Sequence, residues 1–100
     1  MRRVLIANRG EIAVRIVRAC RSLDLECVVA ASVADMGGMA AELADRTVCI
    51  GPPPAADSYL RPDAVVHAAL GTGSDAIHPG YGFLSESPAL ARLARGEGLT

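Results

Sequence analysis

Short apolar runs alternate along the chain with segments in which apolar residues recur at helical spacing. Nearly continuous apolar runs are typical of strands that are buried on both faces of a parallel sheet. Four such runs predict strands over residues 3–7, 26–31, 46–50 and 76–78. Each is followed by a segment of helical character, at residues 11–24, 39–44, 62–71 and from 88 to Gly96 or Gly98.

Strands that alternate with helices imply right-handed βαβ units. We therefore predict an α/β fold, a Rossmann-like parallel sheet with helices on both faces, in one domain over residues 1–100. The fourth predicted helix ends where a further strand would begin. The sequence is thus expected to be a domain truncated at its C-terminal end, without its last strand.

The loops after the first and fourth strands carry the most unusual residues. In a doubly wound sheet of order 3-2-1-4 these strands are neighbours, and ligands bind in the crevice at their carboxyl ends. The loops read Asn8-Arg9-Gly10 and Pro79-Gly80-Tyr81-Gly82. We expect them to flank one crevice, although ordinary turn chemistry also explains glycine and proline in such loops.

A dinucleotide site is disfavoured by the first of these loops. Close approach to a pyrophosphate needs the pattern G-x-G-x-x-G after the first strand. Residues 8–13, which follow the first strand here, contain one glycine, Gly10, with Arg9 and Glu11 on either side of it.

Composition narrows the classes of partner. The net charge of −1 gives no electrostatic footprint for nucleic acid or an acidic membrane surface. No apolar run approaches the roughly 20 residues that span a bilayer. The isolated cysteines Cys20, Cys27 and Cys49 lie in apolar segments and are expected to be buried, reduced thiols. We expect a cytoplasmic protein with no nucleic-acid partner, no membrane association and no metal site.

Two long motifs resemble the biotin carboxylase family. They are Ala-Asn-Arg-Gly-Glu-Ile-Ala at residues 7–13 and His-Pro-Gly-Tyr-Gly-Phe-Leu-Ser-Glu at residues 78–86. Shorter matches at residues 15–20, 44–52 and 58–60 keep the family's order and spacing. The matching part of the family is its N-terminal, Rossmann-like pre-ATP-grasp domain.

The resemblance implies one component of a larger enzyme. Family members use Mg-ATP and bicarbonate to form carboxyphosphate and then carboxylate a carrier-bound biotin. The chain would belong to an acetyl- or propionyl-CoA carboxylase of fatty acid metabolism. Its partners would be the downstream ATP-grasp and C-terminal domains, the biotin carrier domain, the carboxyltransferase and a second copy in a homodimer. The fragment alone would be inactive, with no catalytic residue and no bound cofactor.

The resemblance also implies roles for four side chains. Tyr81 would line the biotin pocket, or else cover a seam between domains. Glu86 would orient a downstream arginine, or else act only as a carboxylate at a helix start. Arg15 and Arg18 would lie at a dimer interface, or else on the solvent face of an amphipathic helix.

Two segments depart from the family pattern. Ser22 stands where an acidic residue is common in dimeric members, so an inter-subunit ion pair would be missing. Residues 36–41, Met-Gly-Gly-Met-Ala-Ala, replace a segment that is usually charged. Each glycine would weaken the short helix there by up to about 1 kcal/mol if it lay inside the helix. Asp35 is expected to cap that helix.

Two other functions remain open at this point. The chain can be a free-standing Rossmann-like ligand-binding or regulatory module, whose crevice holds a small molecule. It can also belong to another ATP-grasp enzyme with a similar first domain, which the second long motif disfavours.

Overall fold

A parallel sheet forms the centre of the computed structural model, which describes residues 3–52, 54–80 and 87–99. In these ranges the strands are β1 (Arg3–Ile6), β2 (Glu26–Ser32), β3 (Arg46–Gly51) and β4 (Ala76–His78). They pair in the order β3-β2-β1-β4, and every pair is parallel. The predicted strand order and direction are confirmed.

Helices cover both faces of the sheet. They are α1 (Gly10–Ser22), α2 (Met39–Leu43), α3 (Pro62–Gly71) and α4 (Pro88–Gly96). Short 3₁₀ turns at Val33–Asp35 and Ala55–Asp57 complete the connections. Helices α1 and α2 pack on one face, and α3 and α4 pack on the other. The fold is therefore the doubly wound α/β arrangement that the sequence predicts.

Strand β1 shows why its apolar run is continuous. Val4 and Ile6 belong to the core under α1 and α2, whereas Leu5 and Ala7 belong to the core under α3 and α4. None of these four residues is more than 5% exposed. Successive side chains of a strand point to opposite faces, so a strand that is covered on both faces needs apolar residues throughout.

Helix ends follow the signals in the sequence. Pro62 and Pro88 occupy the first turns of α3 and α4, and the Ser87 hydroxyl accepts a 3.2 Å hydrogen bond from the Leu90 backbone N–H. Proline and serine are favoured at these positions because the first backbone N–H groups of a helix lack helical partners.

The end of α1 is a Schellman motif closed by an aspartate. The Leu25 N–H donates to the Cys20 carbonyl at 2.8 Å, and the Asp24 N–H donates to the Arg21 carbonyl at 3.1 Å. Asp24 has φ of 61°, a left-handed conformation in which glycine is usual. The motif fixes the direction in which the chain enters β2.

The predicted cap of α2 is wrong. Asp35 does not cap the helix; instead Gly38 precedes it, without a side-chain hydrogen bond to the helix start. Gly37 and Gly38 both lie before Met39, so neither weakens the helix from inside. The Asp35 carboxylate bonds the Ser32 and Tyr59 hydroxyl groups instead.

The burial predicted for the cysteines holds for two of the three. Cys20 and Cys27 are buried free thiols, and burial raises the pKa of both. Cys49 is exposed, because β3 lies at the edge of the sheet and its side chains are less covered. No helix in the described ranges is long and apolar enough to cross a membrane.

The Schellman motif gives a stability prediction. We expect Asp24→Gly to raise the free energy of unfolding by about 0.5–1 kcal/mol, because glycine relieves the left-handed strain that a Cβ atom causes. Urea denaturation of the chain measures the change. The control, Ser22→Gly, lies at the right-handed end of α1 and should lower the free energy of unfolding by up to about 1 kcal/mol. Equal losses in both variants would contradict the interpretation.

Candidate functional site

The carboxyl ends of β1 and β4 lie side by side. Ile6 pairs with His78 in the ladder, and the Ala7 N–H donates to the His78 carbonyl at 3.0 Å. The loops that follow these strands therefore start at the same edge of the sheet. The predicted adjacency of these two loops is confirmed for the described residues, whereas their role as a ligand-binding crevice stays a prediction.

The side chain of Asn8 joins the two loops. Its Nδ2 group donates to the Pro79 carbonyl at 2.8 Å, and its Oδ1 atom accepts from the Arg9 backbone N–H at 2.8 Å. Asn8 is only 2% exposed. A buried amide is costly unless it is hydrogen-bonded, so these contacts fix the relative position of the loops.

Gly80 makes the close approach of the loops possible. A Cβ atom at this position would lie 2.8 Å from Asn8 Nδ2 and 2.9 Å from Ile12 Cγ2. Its φ of 70° is also one that residues with side chains rarely adopt. The Gly80 N–H donates to His78 Nδ1 at 3.1 Å, so His78 is a hydrogen-bonded residue at the end of a strand.

Gly10 is required by backbone geometry alone. It has φ of 66° at the start of α1, and among the described residues a Cβ atom there would meet nothing within 4 Å apart from its chain neighbours and the helix backbone. The left-handed conformation turns the chain from the Asn8 loop into the helix.

A buried tyrosine, Tyr59, links the end of β2 to the loop that contains Arg9. The Tyr59 hydroxyl donates to Asp35 Oδ2 at 2.7 Å and accepts from the Ser32 backbone N–H at 3.1 Å. The Ser32 hydroxyl donates to the same Asp35 oxygen at 2.9 Å. Burial, together with the hydrogen bond to Asp35, raises the pKa of Tyr59 to about 12.

Arg9 connects this network to the crevice. Its guanidinium lies over the Tyr59 ring, 5.4 Å from the centroid, and its Nη1 atom is 3.7 Å from Asp35 Oδ2. The sequence interpretation missed Tyr59, although a buried tyrosine normally needs a partner for its hydroxyl group. Its partner is Asp35, which the sequence pattern predicts only as a cap of α2.

A cavity of about 430 Å³, here called the β2 cavity, lies next to Arg9 at the carboxyl ends of β1 and β2. Its lining comes from the loop after β1, from α1, from β2 and from the segment that leads into α2: Asn8, Arg9, Gly10, Glu11, Val14, Arg18, Val29, Ala31, Asp35, Gly38, Met39, Ala40 and Tyr59. The apolar residues come from the sheet and the helices. The charged residues are arginines and carboxylates, which belong to α1 and to the segments beside it.

Arg15 and Arg18 lie on different flanks of α1. Arg18 lines the β2 cavity, whereas Arg15 lines a second cavity of about 550 Å³ beside β4. The Nε atom of Arg15 also lies 3.8 Å from Glu11 Oε1 in an exposed ion pair. Exposed pairs of this kind contribute little to stability. Their role at a dimer interface stays a prediction, and so does the effect of Ser22.

Tyr81, Gly82 and Glu86 lie outside the described residues. Their predicted roles at the crevice and the biotin pocket therefore stay predictions. The described residues of the second motif, His78 to Gly80, lie against the loop of the first motif.

Comparison with known proteins identifies the family. The model of the family described as biotin carboxylase, N-terminal domain, matches residues 1–100. The chain belongs to this family. Relatives agree: it is 52% identical over 100 residues to the biotin carboxylase of Haemophilus influenzae, covering 100% of this chain and 22% of the relative. It is 55% identical over 98 residues to a mitochondrial methylcrotonoyl-CoA carboxylase subunit alpha of Oryza sativa, covering 98% of this chain and 13% of the relative.

Solved structures share the fold of this biotin carboxylase N-terminal domain. The biotin carboxylase domain of 2-oxoglutarate carboxylase from Hydrogenobacter thermophilus superposes with a TM-score of 0.93 at 42% identity, over 99% of this chain and 22% of that one. The chain thus spans about a fifth or less of the length of these relatives. The loops that carry the two family motifs are the loops that Asn8 joins.

The contact at Gly80 gives a prediction for this domain. We expect Gly80→Ala to lower the free energy of unfolding by about 1–3 kcal/mol, because the new methyl group meets Asn8 and Ile12 and the backbone is strained. Gly37→Ala is the matched control. A Cβ atom there meets nothing within 4 Å, so the change should stay within about 0.5 kcal/mol. Urea denaturation compares the two, and equal effects would show that the loops do not pack as described.

The raised pKa of Tyr59 predicts a stability change at high pH. An unfolded tyrosine ionises near pH 10, and Tyr59 in the folded chain ionises at about 12. The stability that Tyr59 contributes is therefore fully present below about pH 10, and it is lost as the pH rises from about 10 to about 12, at up to about 1.4 kcal/mol per pH unit.

Tyr59→Phe should abolish this dependence. At neutral pH it should also cost about 1–3 kcal/mol, because the buried Ser32 N–H loses its acceptor. Urea denaturation of both chains, in reductant at several pH values, gives the difference in their free energies of unfolding. Cys20 and Cys27 titrate in both chains, so their contributions cancel. A difference that did not change with pH would contradict the proposed burial of the hydroxyl group.

Proposed function

We propose that this chain is the N-terminal domain of the biotin carboxylase component of a biotin-dependent carboxylase. The complete enzyme uses ATP and bicarbonate to carboxylate biotin on a carrier domain. Acetyl-CoA or propionyl-CoA is the proposed final acceptor, which would place the enzyme in fatty acid metabolism. A carboxyltransferase outside this chain selects that acceptor.

The juxtaposition of the two family motifs supports this proposal most directly. Asn8 belongs to the first motif and Pro79 to the second, and a 2.8 Å hydrogen bond joins them. The carboxyl edge of an open α/β sheet is where such folds bind ligands, at the point where the winding reverses. The described residues of both motifs thus lie at the edge of the sheet where the fold itself favours binding.

The described side chains in the crevice act as a scaffold in this proposal. Asn8, Arg9, Gly10, Pro79 and Gly80 set the position from which the Tyr81 segment leaves the sheet. Tyr81 and Glu86 keep the roles that the resemblance implies, with Tyr81 beside biotin and Glu86 orienting an arginine of the downstream chain.

The chain's own residues do not fit Mg-ATP. Among the described residues no group of three or more His, Cys, Asp or Glu side chains is arranged to hold a metal ion. Arg9 and Glu11 stand where bare backbone would have to approach a phosphate group. In the proposed enzyme, ATP and Mg²⁺ are held by the downstream ATP-grasp domain, and no chemical step at ATP is assigned to this chain.

The partners follow from the same proposal. They are the downstream ATP-grasp and C-terminal domains, the biotin carrier domain and the carboxyltransferase. A second copy would form the homodimer, with Arg15 and Arg18 at its interface. A cytoplasmic location stays a prediction.

An ATPase assay tests the proposal. The complete protein that carries this chain should release ADP only with bicarbonate, and faster with free biotin, whereas the 100-residue chain alone should release none. Tyr81→Ala in the complete protein should raise the KM for biotin by about tenfold through loss of the ring contact, with little change in the KM for ATP. Tyr59→Phe is the matched control, and it should lower stability without a selective change in the KM for biotin.

Two results would overturn the proposal. One is bicarbonate-dependent ATP cleavage by the 100-residue chain alone. The other is a clear rise in the Tm of this chain with NAD that adenosine alone does not produce, since a ligand that binds only the native state raises its stability. The second result would favour a free-standing Rossmann-like binding module.

A further inference from the structure

The β2 cavity is separate from the contact between the loops after β1 and β4. It lies on the other side of the Asn8 loop, between α1 and the segment that leads into α2. Its volume of about 430 Å³ falls within the range of about 300–1,000 Å³ that is typical of small-molecule sites. Such sites combine apolar walls with a few polar groups that are held in place.

Asp35 is the polar group that the structure holds most firmly in this cavity. The hydroxyl groups of Ser32 and Tyr59 and the guanidinium of Arg9 all contact its Oδ2 atom, at 2.9, 2.7 and 3.7 Å. None of these contacts uses Oδ1, and the side chain is 34% exposed. The carboxylate is therefore fixed in orientation and still accessible.

The position of Asp35 indicates what it can bind. It ends the 3₁₀ turn that follows β2, and it stands 25 residues after Gly10 in the chain. In Rossmann folds, an acidic residue about 20 residues beyond the first turn accepts a hydrogen bond from the ribose 2′-hydroxyl group. A carboxylate oxygen has two lone pairs, so Oδ1 can accept hydrogen bonds from both hydroxyl groups of a vicinal diol. Hydrogen bonds to a charged acceptor are also stronger than those to a neutral one.

The walls of the cavity suit a flat, weakly polar ring. Val29 and Ala31 of β2 line it from the sheet, Val14 lines it from α1, and Met39 and Ala40 line it from α2. Met39 is 58% exposed, so its flexible thioether stands at the mouth where it can cover a ring.

We propose that the β2 cavity is a nucleoside site, in which Asp35 binds the 2′- and 3′-hydroxyl groups of a ribose and the apolar walls hold the base. Tyr59 and Ser32 are positioning residues that orient the carboxylate. The site does not depend on the proposed carboxylase function.

The same structure excludes a dinucleotide at this site. A dinucleotide crosses from β2 to β4 by laying its pyrophosphate over the loop after β1. Here Asn8 is hydrogen-bonded to the Pro79 carbonyl. Gly80 packs so closely against Ile12 that a Cβ atom at Gly80 would lie 2.9 Å from Ile12 Cγ2. The ligand is therefore limited to the nucleoside end.

NMR titration of the ¹⁵N-labelled 100-residue chain tests the site. Adenosine should shift the amide signals of Asp35, Ala40 and Val14, with saturation in the millimolar range or below. Loss of both hydroxyl groups in 2′,3′-dideoxyadenosine should weaken binding by about tenfold or more, because two hydrogen bonds to a carboxylate are lost. Inorganic phosphate should leave these signals unchanged.

Two variants distinguish the contribution of the Asp35 carboxylate to binding from general effects of a substitution on the fold. Asp35→Asn should weaken adenosine binding about tenfold while dideoxyadenosine binding stays the same. The control, Glu42→Gln, removes a carboxylate on α2 that does not line the cavity, and it should change neither. A thermal unfolding transition confirms that each variant is folded.

Three outcomes would overturn the proposal. They are no shift at cavity residues up to 10 millimolar adenosine, equal binding of adenosine and its dideoxy analogue, or equal effects of Asp35→Asn on both ligands. A strong response to NAD in place of adenosine would contradict the closed route over Asn8. Failure here would leave the ATPase result of the complete protein unaffected, so the two proposals are tested independently.

Discussion

A single buried amide holds together the two loops that carry the family motifs. Asn8 bonds the carbonyl of Pro79 and the N–H of Arg9, and it is nearly inaccessible to water. Strand pairing alone brings the two loops to the same edge of the sheet, but it does not fix how they sit beyond the last ladder bond. The amide provides that constraint, because leaving either of its ends unpaired in the interior would cost about 1–3 kcal/mol.

A second polar link extends the constraint to β2. Arg9 leaves the Asn8 loop and lies over Tyr59, whose hydroxyl group ties Asp35 and the end of β2 together. The carboxyl ends of β1, β2 and β4 are thus connected by polar contacts above an apolar core of small side chains. The sheet and helices supply most of the buried core, and these few polar contacts fix the relative positions of the loops at its carboxyl edge.

Much of the fold was predictable because its signals are local. The continuous apolar runs, the proline residues at the starts of α3 and α4 and the Ser87 cap each act over a few residues, and the structure confirms them. The juxtaposition of the loops was also predictable, since the strand order 3-2-1-4 of a doubly wound sheet places the first and fourth strands side by side. The motif resemblance gave the family, which the comparisons confirm.

The contacts that depend on distant residues were not predictable from the pattern. Asp35 and Tyr59 lie 24 positions apart, and nothing in the spacing tells an aspartate that caps a helix from one that accepts a buried phenol. Cys49 illustrates the same limit, because an apolar run does not reveal which strand lies at the edge of the sheet. Asn8 was identified as a residue of the crevice, but its bond to Pro79 needed coordinates.

The bridge between the loops is tested most directly by nuclear Overhauser spectroscopy of the labelled chain. The Asn8 side-chain amide protons should show strong cross-peaks to the Gly80 α-protons, because a Cβ atom at Gly80 would lie 2.8 Å from Asn8 Nδ2. The same protons should exchange slowly with water. An Asn8 amide that exchanged at the rate of a free side chain and showed no cross-peak to Gly80 would contradict the account.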